Sequence, residues 1–199
     1  MEITAPVRSL LDGVADLTGT MWAPEDRTSI DALVASLGST SKFVGATLST
    51  TSNLTQLNAG YKANVVPSEA SAVVDMRFLP GREAEAMETL RSLAGEGVRI
   101  EPINIDIGLE APFSGHLVDS MIAAIDAEDP GAKVLPYMLS GGTDNKALSL
   151  LGIAGYGFAP LQLPPDLDFA GMFHGVDERV PVSSVQFGVR VLDRLLGTC

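Results

Sequence analysis

Apolar residues recur every three to four positions in several segments, which is the spacing of one face of an α-helix. Two helices near the N-terminus are predicted from Val7, Leu10, Leu11, Val14 and Leu17, and from Ile30, Leu33, Val34 and Leu37. Two more are predicted from Ala84, Met87, Leu90 and Ala94, and from Leu117, Met121, Ile122 and Ile125. The last helix begins at a cap residue, Ser183 or Ser184, and its expected buried stripe is Val185, Val189, Leu192 and Leu196.

Other segments have the composition of β-strands. Residues 46–57 are rich in threonine and leucine without a helical period, and residues 71–79 alternate along a strand-like pattern. Short apolar segments at 98–103, 134–138 and 153–158 predict three further strands. The order helix, strand, strand, helix, strand in the first half predicts a βαββαβ unit whose opening strand is absent.

A proline and a turn-forming serine between Glu110 and Ser114 interrupt these patterns. The segment that follows has the mixed helix and strand pattern of a small α/β layer. We therefore predict an α+β chain of two domains, 1–110 and 111–199.

Composition narrows the possible functions. The 199 residues are 46% apolar, and 25 acidic against 13 basic residues give a formal net charge of −12. Because nucleic-acid affinity depends on neutralising phosphates, this acidic balance argues against nucleic acid and against an anionic membrane surface. The single cysteine, Cys199, excludes an intramolecular disulfide and a cysteine-rich metal site. The sequence has neither a secretory signal pattern nor a long apolar span, so we predict a cytoplasmic location.

Two polar motifs in the second half could carry chemistry: Ser140-Gly-Gly-Thr-Asp144 and His174-Gly-Val-Asp-Glu-Arg179. Paired glycines allow backbone N–H groups to approach an anion, although the same residues also suit an ordinary tight turn capped by Thr143 or Asp144. His174 is expected in an exposed loop, where it could be a metal ligand or a residue without a function. We assign no role to the other histidine, His116.

Two polar residues of the first half lie two positions apart on a predicted strand. Asp75 and Arg77 therefore share one face of that strand. An arginine can hold a planar carboxylate through two parallel hydrogen bonds, so Arg77 could bind an acidic ligand. The alternative is a surface salt bridge between Arg77 and Asp75. Asn64, just before this strand, is a further polar candidate.

Three motifs occur in a fixed order along the chain. They are NVVPSEASAVVDMRFLPG, then SGGTDNK, then FHGVDERVPVSS before the final amphipathic helix. Together they resemble the C-terminal half of the M20 family of zinc metallopeptidases, which includes carboxypeptidases, aminoacylases and succinyl-diaminopimelate desuccinylases. The resemblance extends from about Thr47 to Leu196, which is most of the chain.

The resemblance implies a fold for each domain. Residues 1–110 would be a ferredoxin-like lid and dimerisation domain that lacks its first strand. Residues 111–199 would be the C-terminal α/β part of a zinc-hydrolase catalytic domain. The protein would form a homodimer or pair with the missing catalytic half.

The resemblance also implies roles for individual residues. His174 matches the last ligand of a site that holds two zinc ions. Five positions match residues that bind substrate in the family: Asn64, Arg77, Gly141, Gly142 and Thr143. The first two would face the active site, often that of the dimer partner, and the other three would line the pocket for the substrate's carboxylate. The reaction would be hydrolysis of an amide bond in a small peptide or N-acyl amino acid with a free carboxylate, by a zinc-activated hydroxide.

Other motifs of the family are absent from this sequence. They are a His-x-Asp motif, a bridging aspartate and a Glu-Glu pair that supplies the general base. Because catalytic zinc needs about three protein ligands, we expect this chain alone to bind no stoichiometric zinc and to hydrolyse nothing. We therefore assign no catalytic residue.

The absent strand has a further consequence. In the ferredoxin-like lid that the resemblance implies, the first strand is central. Without it, the neighbouring strands would have unpaired backbone groups that favour pairing with another chain. Two alternatives to the enzyme interpretation stay open. One is a noncatalytic dimerisation or interaction module, and the other is a small anion-binding protein that uses the SGGTDNK loop.

Overall fold

The computed structural model describes residues 2–198. Contacts divide the chain into two compact units. One, the hairpin unit, contains residue 2 and Ser49–Gly108, and the other, the helical unit, contains Ile3–Leu48 and residues 109–198. The sequence-based division assigns residues 3–48 to the first domain, whereas by contacts they belong to the helical unit. The functional boundary at residue 110 stays a prediction.

The N-terminal helices explain this difference. The helices are α1 (Ala5–Thr18), α2 (Arg27–Ala35) and α3 (Ser41–Gly45). Their buried side chains are Val7, Leu11, Val14, Ile30, Leu33, Val34 and Val44, joined by Leu48. Leu135 and Met138 from the second half of the chain pack against this core. A Cβ on Gly13 would clash with the Leu135 side chain, so a glycine is needed for that close approach.

A second core joins two helices of the helical unit, α5 (His116–Glu128) and α8 (Val182–Leu196). It consists of Val118, Met121, Ala124, Phe187, Val191 and Leu195. Arg190 and Arg194 of α8 reinforce this packing, because their Nε atoms donate to the two carboxylate oxygens of Glu128 over 2.7 and 2.5 Å. Two shorter helices, α6 (Asn145–Ser149) and α7 (Phe169–Met172), lie between them in the chain.

The predicted buried stripe of the last helix is wrong. Val185, Val189, Leu192 and Leu196 are all exposed. The buried face contains Ser184, Phe187, Gly188, Val191 and Leu195 instead. The reason is tertiary: Gly188 leaves room for the carbonyl oxygen of Pro160, which would lie 2.5 Å from an added Cβ. The Ser184 hydroxyl donates to the Gln162 carbonyl over 2.6 Å. The same face of α8 therefore contacts the loop that contains Pro160 and Gln162.

The hairpin unit is built on two antiparallel strands, β1 (Thr51–Ala59) and β2 (Ala70–Arg77), followed by α4 (Glu83–Ala94). Cross-strand pairs place Ser52, Leu54, Leu57, Ala59, Ala70, Ala72, Val74 and Met76 on one face. We call this the apolar face. Asn53, Gln56, Asp75 and Arg77 are on the opposite, polar face. In the described part of this unit, Leu79 is the only buried apolar residue.

The three other predicted strands are wrong. Residues 98–103, 134–138 and 153–158 form no ladder, and β1 and β2 are the only paired strands among residues 2–198. Their apolar side chains either pack on helices, as Leu135 and Phe158 do, or stay exposed, as Val98 and Ile103 do. A strand requires a partner that supplies hydrogen bonds, and local composition cannot provide one. The α+β class is confirmed, and the ferredoxin-like arrangement is not.

Candidate functional site

Arg77 lies at the end of β2, on the polar face of the hairpin. Its Nε and Nη2 atoms donate to the two carboxylate oxygens of Asp75 over 2.6 and 2.9 Å. The side chains of Arg77 and Asp75 are 47% and 41% exposed, so the pair is a surface salt bridge with bidentate geometry. The guanidinium group can therefore hold a planar carboxylate, but a ligand at this position must compete with Asp75.

Asn64 lies in the loop at the other end of the same hairpin. The Val65 backbone N–H donates to the Lys62 carbonyl over 3.2 Å, which forms a turn around Asn64, and the Asn64 side chain is exposed. Ala70 is paired with Ala59 beside this loop, whereas Arg77 is paired with Thr51 at the far end. A strand rises about 3.3 Å per residue, so β2 separates these two ends by about 23 Å. One hairpin therefore does not bring Asn64 and Arg77 to one small ligand.

The glycine motif forms an exposed turn before α6. Gly141, Gly142 and Thr143 are exposed, and the Thr143 carbonyl accepts a hydrogen bond from the Lys146 backbone N–H. Asp144 is the N-cap residue of this five-residue helix, and its side chain makes no capping hydrogen bond. Neither glycine has a positive φ, and a Cβ on Gly142 would meet no atom within 4 Å. The conformation of this turn therefore does not itself require glycine at position 142.

His174 follows α7 in an exposed turn. Its φ is 58°, a left-handed conformation that side-chain-bearing residues adopt at a cost. The ring of Phe173 lies 4.7 Å from the imidazole ring, at an interplanar angle of 56°. Within residues 2–198, no group of three histidine, cysteine, aspartate or glutamate side chains could hold a metal ion. The described residues do not by themselves fit a zinc site, and His174 could supply one ligand at most.

Sequence reasoning missed the aromatic side chains that support this turn. Four rings make successive edge-to-face contacts, and we call them the aromatic ladder: Tyr137, Phe43, Phe173 and Phe169. Burial raises the pKa of the Tyr137 hydroxyl above its ordinary value of 10.0. Phe43 is far from the motifs in sequence and has no local signal of its own, so only the tertiary structure identifies it.

The hairpin unit also contains a groove of about 390 Å³ between the strands and α4. Met76, Leu79, Leu90 and Leu93 form its apolar surface, and Arg82 lies at its polar side. The Arg82 guanidinium group is already bound by the Glu2 carboxylate, through contacts of 2.7 and 2.9 Å. The residues that line this groove include none of the predicted site residues.

Comparison with known proteins identifies the family. Residues 14–98 match the model of the peptidase dimerisation domain of the M20 family. The chain is 30% identical over 155 residues to an N-fatty-acyl-amino acid synthase/hydrolase of Mus musculus, an alignment that covers 74% of this chain and 30% of that protein. No solved structure matches. These findings confirm the resemblance drawn from the motifs: the chain is related to the M20 peptidases.

Two further relatives agree with this assignment. Aminoacylase-1 of Homo sapiens is 28% identical over 163 residues, which cover 74% of this chain and 36% of that protein. A probable carboxypeptidase S-like protein of Dictyostelium discoideum is 30% identical over 160 residues, 77% of this chain and 30% of its own length. The chain thus spans about a third of the length of these curated relatives. In the part of the chain that the structure describes, no helix has the length and apolar character needed to cross a membrane.

Proposed function

We propose that this chain is the lid and C-terminal part of an M20-type zinc-dependent amidohydrolase or peptidase. Its substrates would be small peptides or N-acyl amino acids with a free carboxylate. The observation that carries this proposal is the family match over residues 14–98, which the relatives extend to about three quarters of the chain. The names of those relatives refer to acyl amino acids and to a carboxypeptidase. The cytoplasmic location stays a prediction from the sequence.

Arg77 is the proposed carboxylate-binding residue. Its bidentate contact with Asp75 supports this role, because a substrate carboxylate could bind the same two nitrogen atoms in the same geometry. Asn64 would act at the other end of the hairpin, on the scissile carbonyl of a different substrate molecule or in a different copy of the site. The separation of Asn64 and Arg77 along one hairpin therefore favours a homodimer in which the lid domains are shared.

The glycine turn and His174 are the proposed contributions of the helical unit. Gly141, Gly142 and Thr143 would bind the substrate's carboxylate through backbone N–H groups, and the open space around Gly142 is compatible with such an approach. His174 would be one zinc ligand. When bound by a complete set of ligands, zinc supplies an activated water for amide hydrolysis. Since the described residues do not form that set, we propose that the other ligands and the general base lie outside these 199 residues, and that this chain alone is inactive.

Two uncovered apolar surfaces support assembly with another polypeptide. On α8 the exposed residues Val182, Val185, Val189, Leu192 and Leu196 follow a spacing of three and four, the pattern of a helix face that packs against another helix. The apolar face of the hairpin is also open, and both strands of the hairpin have an unpaired edge in the described structure. Exposed apolar patches of this kind mark interaction sites.

A noncatalytic dimerisation or interaction module is the second candidate. The open apolar face of the hairpin favours it, because that face would be used in association whether or not a catalytic half exists. The two candidates differ in one measurable property, which is turnover when the other ligands are supplied.

The test compares the purified chain with the chain co-expressed with the polypeptide encoded directly upstream of it. Zinc content is measured by mass spectrometry, and hydrolysis is measured on N-acetyl amino acids and dipeptides. We expect less than one zinc per chain and no turnover for the chain alone, but turnover in the assembled protein. Stoichiometric zinc or turnover in the isolated chain would contradict the proposed division of the site. A folded assembly without turnover would favour the interaction module.

Point variants of the assembled protein test the individual roles. His174→Ala should abolish turnover, and Arg77→Ala should raise KM because it removes carboxylate capture. Arg99→Ala is a matched control, since Arg99 forms a similar salt bridge with Glu101 two residues away in the same unit, over 3.1 Å. An active His174→Ala assembly would show that the ligand assignment is wrong.

A further inference from the structure

Phe43 lies between the two polar motifs of the helical unit. Its ring centroid is 6.4 Å from that of Tyr137 and 6.0 Å from that of Phe173, at interplanar angles of 70° and 84°. Tyr137 comes three residues before Ser140, where the glycine motif begins, and Phe173 directly precedes His174. The half-buried Phe43 ring thus contacts two residues, one just before each motif.

The aromatic contacts of Phe173 add to a backbone turn around His174, which is closed by a 2.8 Å hydrogen bond from the Gly175 N–H to the Met172 carbonyl. His174 is exposed, it follows a helix of four residues, and its backbone is left-handed. Phe173, whose ring contacts the imidazole ring, is 49% exposed, and its ring centroid lies 6.0 Å from that of Phe43 and 5.9 Å from that of Phe169. Edge-to-face aromatic contacts have a preferred geometry, so this arrangement restricts the orientation of Phe173 and hence of the imidazole.

Lys42, the residue before Phe43, contacts the beginning of α7. Lys42 Nζ lies 3.5 Å from Oδ2 of Asp168, and Asp168 caps α7 by accepting a hydrogen bond from the Gly171 backbone N–H. Two consecutive residues of α3 therefore contact α7, Lys42 at its beginning through an exposed salt bridge and Phe43 just beyond its end.

We propose that Phe43 is a positioning residue for both motifs. Through Phe173 it sets the orientation of the His174 imidazole, and through Tyr137 it fixes the chain that leads to the Gly141–Thr143 turn. The importance of this positioning for catalysis rests on the proposed function, whereas the positioning itself is a property of the isolated chain. Neither the motifs nor the comparisons assign a role to Phe43.

The test uses NMR spectroscopy of the full 199-residue chain without added metal. The sequence contains two histidines, so the imidazole signals of His174 can be compared with those of His116 in the same sample. Phe43→Leu keeps an apolar side chain but removes the ring, and Phe43→Tyr keeps the ring. We expect Phe43→Leu to move the His174 imidazole signals toward those of a histidine whose ring orientation is not fixed, and to shift the Gly141 and Gly142 amide signals. His116 should not change, and Phe43→Tyr should retain the wild-type signals at both motifs.

Single-link variants separate the two branches of the aromatic ladder. Phe173→Leu should move the His174 signals, and Tyr137→Leu should move the glycine amide signals, while Phe43→Leu alone moves both. Phe113→Leu, at an exposed phenylalanine of the same unit outside the ladder, is the control and should move neither. If Phe43→Leu impairs folding, the exposed Phe173→Leu variant still tests the link to His174.

Three results would overturn the proposal. They are unchanged His174 signals in Phe43→Leu or in Phe173→Leu, equal changes in Phe43→Leu and Phe43→Tyr, and unchanged glycine signals in Phe43→Leu. These outcomes are independent of the proposed function, which is tested by turnover of the assembled His174→Ala variant. If the NMR signals change as expected but the His174→Ala assembly is active, then Phe43 positions both motifs and His174 is not a metal ligand.

Discussion

Leu54 and Leu57 face the same side of the hairpin although they are three residues apart in a strand. The cause is an irregularity at Thr55, because Leu54 is paired with Val74 and Leu57 with Ala72, so three residues of β1 span only two of β2. A regular strand would place the two leucines on opposite faces. The bulge therefore collects the apolar residues of β1 on one surface, where Leu54 and Leu57 are 62% and 69% exposed.

The open apolar face predicts self-association. We expect the double variant Leu54→Lys/Leu57→Lys to weaken self-association at least tenfold, since burying a leucine contributes about 1.5–3 kcal/mol and tenfold corresponds to about 1.4 kcal/mol. The measurement is sedimentation equilibrium over a range of protein concentrations. Asn53→Lys/Gln56→Lys adds the same charges to the polar face and should associate like the wild type. Equal association of both double variants would show that this face is not the contact surface.

The ion pairs of Glu128 predict a pH dependence of stability. Hydrogen bonds from Arg190 and then Arg194 lower the pKa of Glu128 below its ordinary value of 4.5. Because the pKa is lower in the folded state than in the unfolded state, the stabilisation is complete above about pH 4.5 and is lost as the pH falls through the folded-state pKa. Glu128→Gln should therefore lower the free energy of unfolding near neutral pH, and its difference from the wild type should shrink in acid.

Urea denaturation between pH 7 and pH 3 measures this effect. Glu88→Gln removes an exposed carboxylate of α4 and should change the stability little at any pH. A Glu128→Gln difference that stays constant over the whole range would argue against a contribution from the charged form of Glu128.

Two glycines should respond differently to alanine. At position 188 the new Cβ would lie 2.5 Å from the Pro160 carbonyl oxygen, so we expect Gly188→Ala to lower the free energy of unfolding by about 1–3 kcal/mol. At position 142 there is open space and no positive φ, so Gly142→Ala should change it by less than about 0.5 kcal/mol. Thermal and urea denaturation measure both values. A tolerated Gly188→Ala would mean that the loop at Pro160 moves away from α8 easily.

A variant at Gly142 also distinguishes the two interpretations of the glycine turn, an anion-binding loop and an ordinary tight turn. If the turn binds anions, phosphate or acetate titration should shift its amide signals, and the bulky Gly142→Asp variant should lose that response. A response that Gly142→Asp retains would argue against backbone approach of an anion at this position.

The left-handed backbone of His174 predicts an order of stability among its variants. A residue with a side chain is disfavoured at a φ of 58° by about 1–2 kcal/mol, whereas glycine is not. His174→Gly should therefore be more stable than His174→Ala, by about 1 kcal/mol. Both variants lack the imidazole, so the comparison isolates the backbone. Equal stabilities would indicate that the turn relaxes when the imidazole is removed.

Some parts of the fold follow directly from local sequence. The spacing of Val7, Leu11 and Val14 is enough to predict α1 and its buried face, and alternation predicts β2. The shared face of Asp75 and Arg77 on β2 also follows from their separation by two residues, whereas the salt bridge between them is one of two alternatives that the sequence leaves open. These features need only neighbours along the chain, and for that reason the sequence predicts them correctly.

Other parts depend on partners that are distant in sequence. Residues 98–103 have a strand-like composition but no partner in the described structure, so they form no strand. The last helix has two apolar stripes, and its own sequence does not indicate which is buried. Contact with α5 and with the loop at Pro160 selects the stripe that includes Phe187 and Gly188.

The sequence by itself determined the five longer helices, the order of the three motifs, the relation to the M20 peptidases and the residue types available for carboxylate and metal binding. Only the tertiary structure decided that residues 3–48 pack with the helical unit, that the hairpin separates Asn64 from Arg77, and that Phe43 lies between the two motifs. The physical reason is the range of the interactions. Helical periodicity and turn chemistry act over a few residues, whereas strand pairing, the choice of a buried helix face and ring contacts depend on residues that only folding brings together.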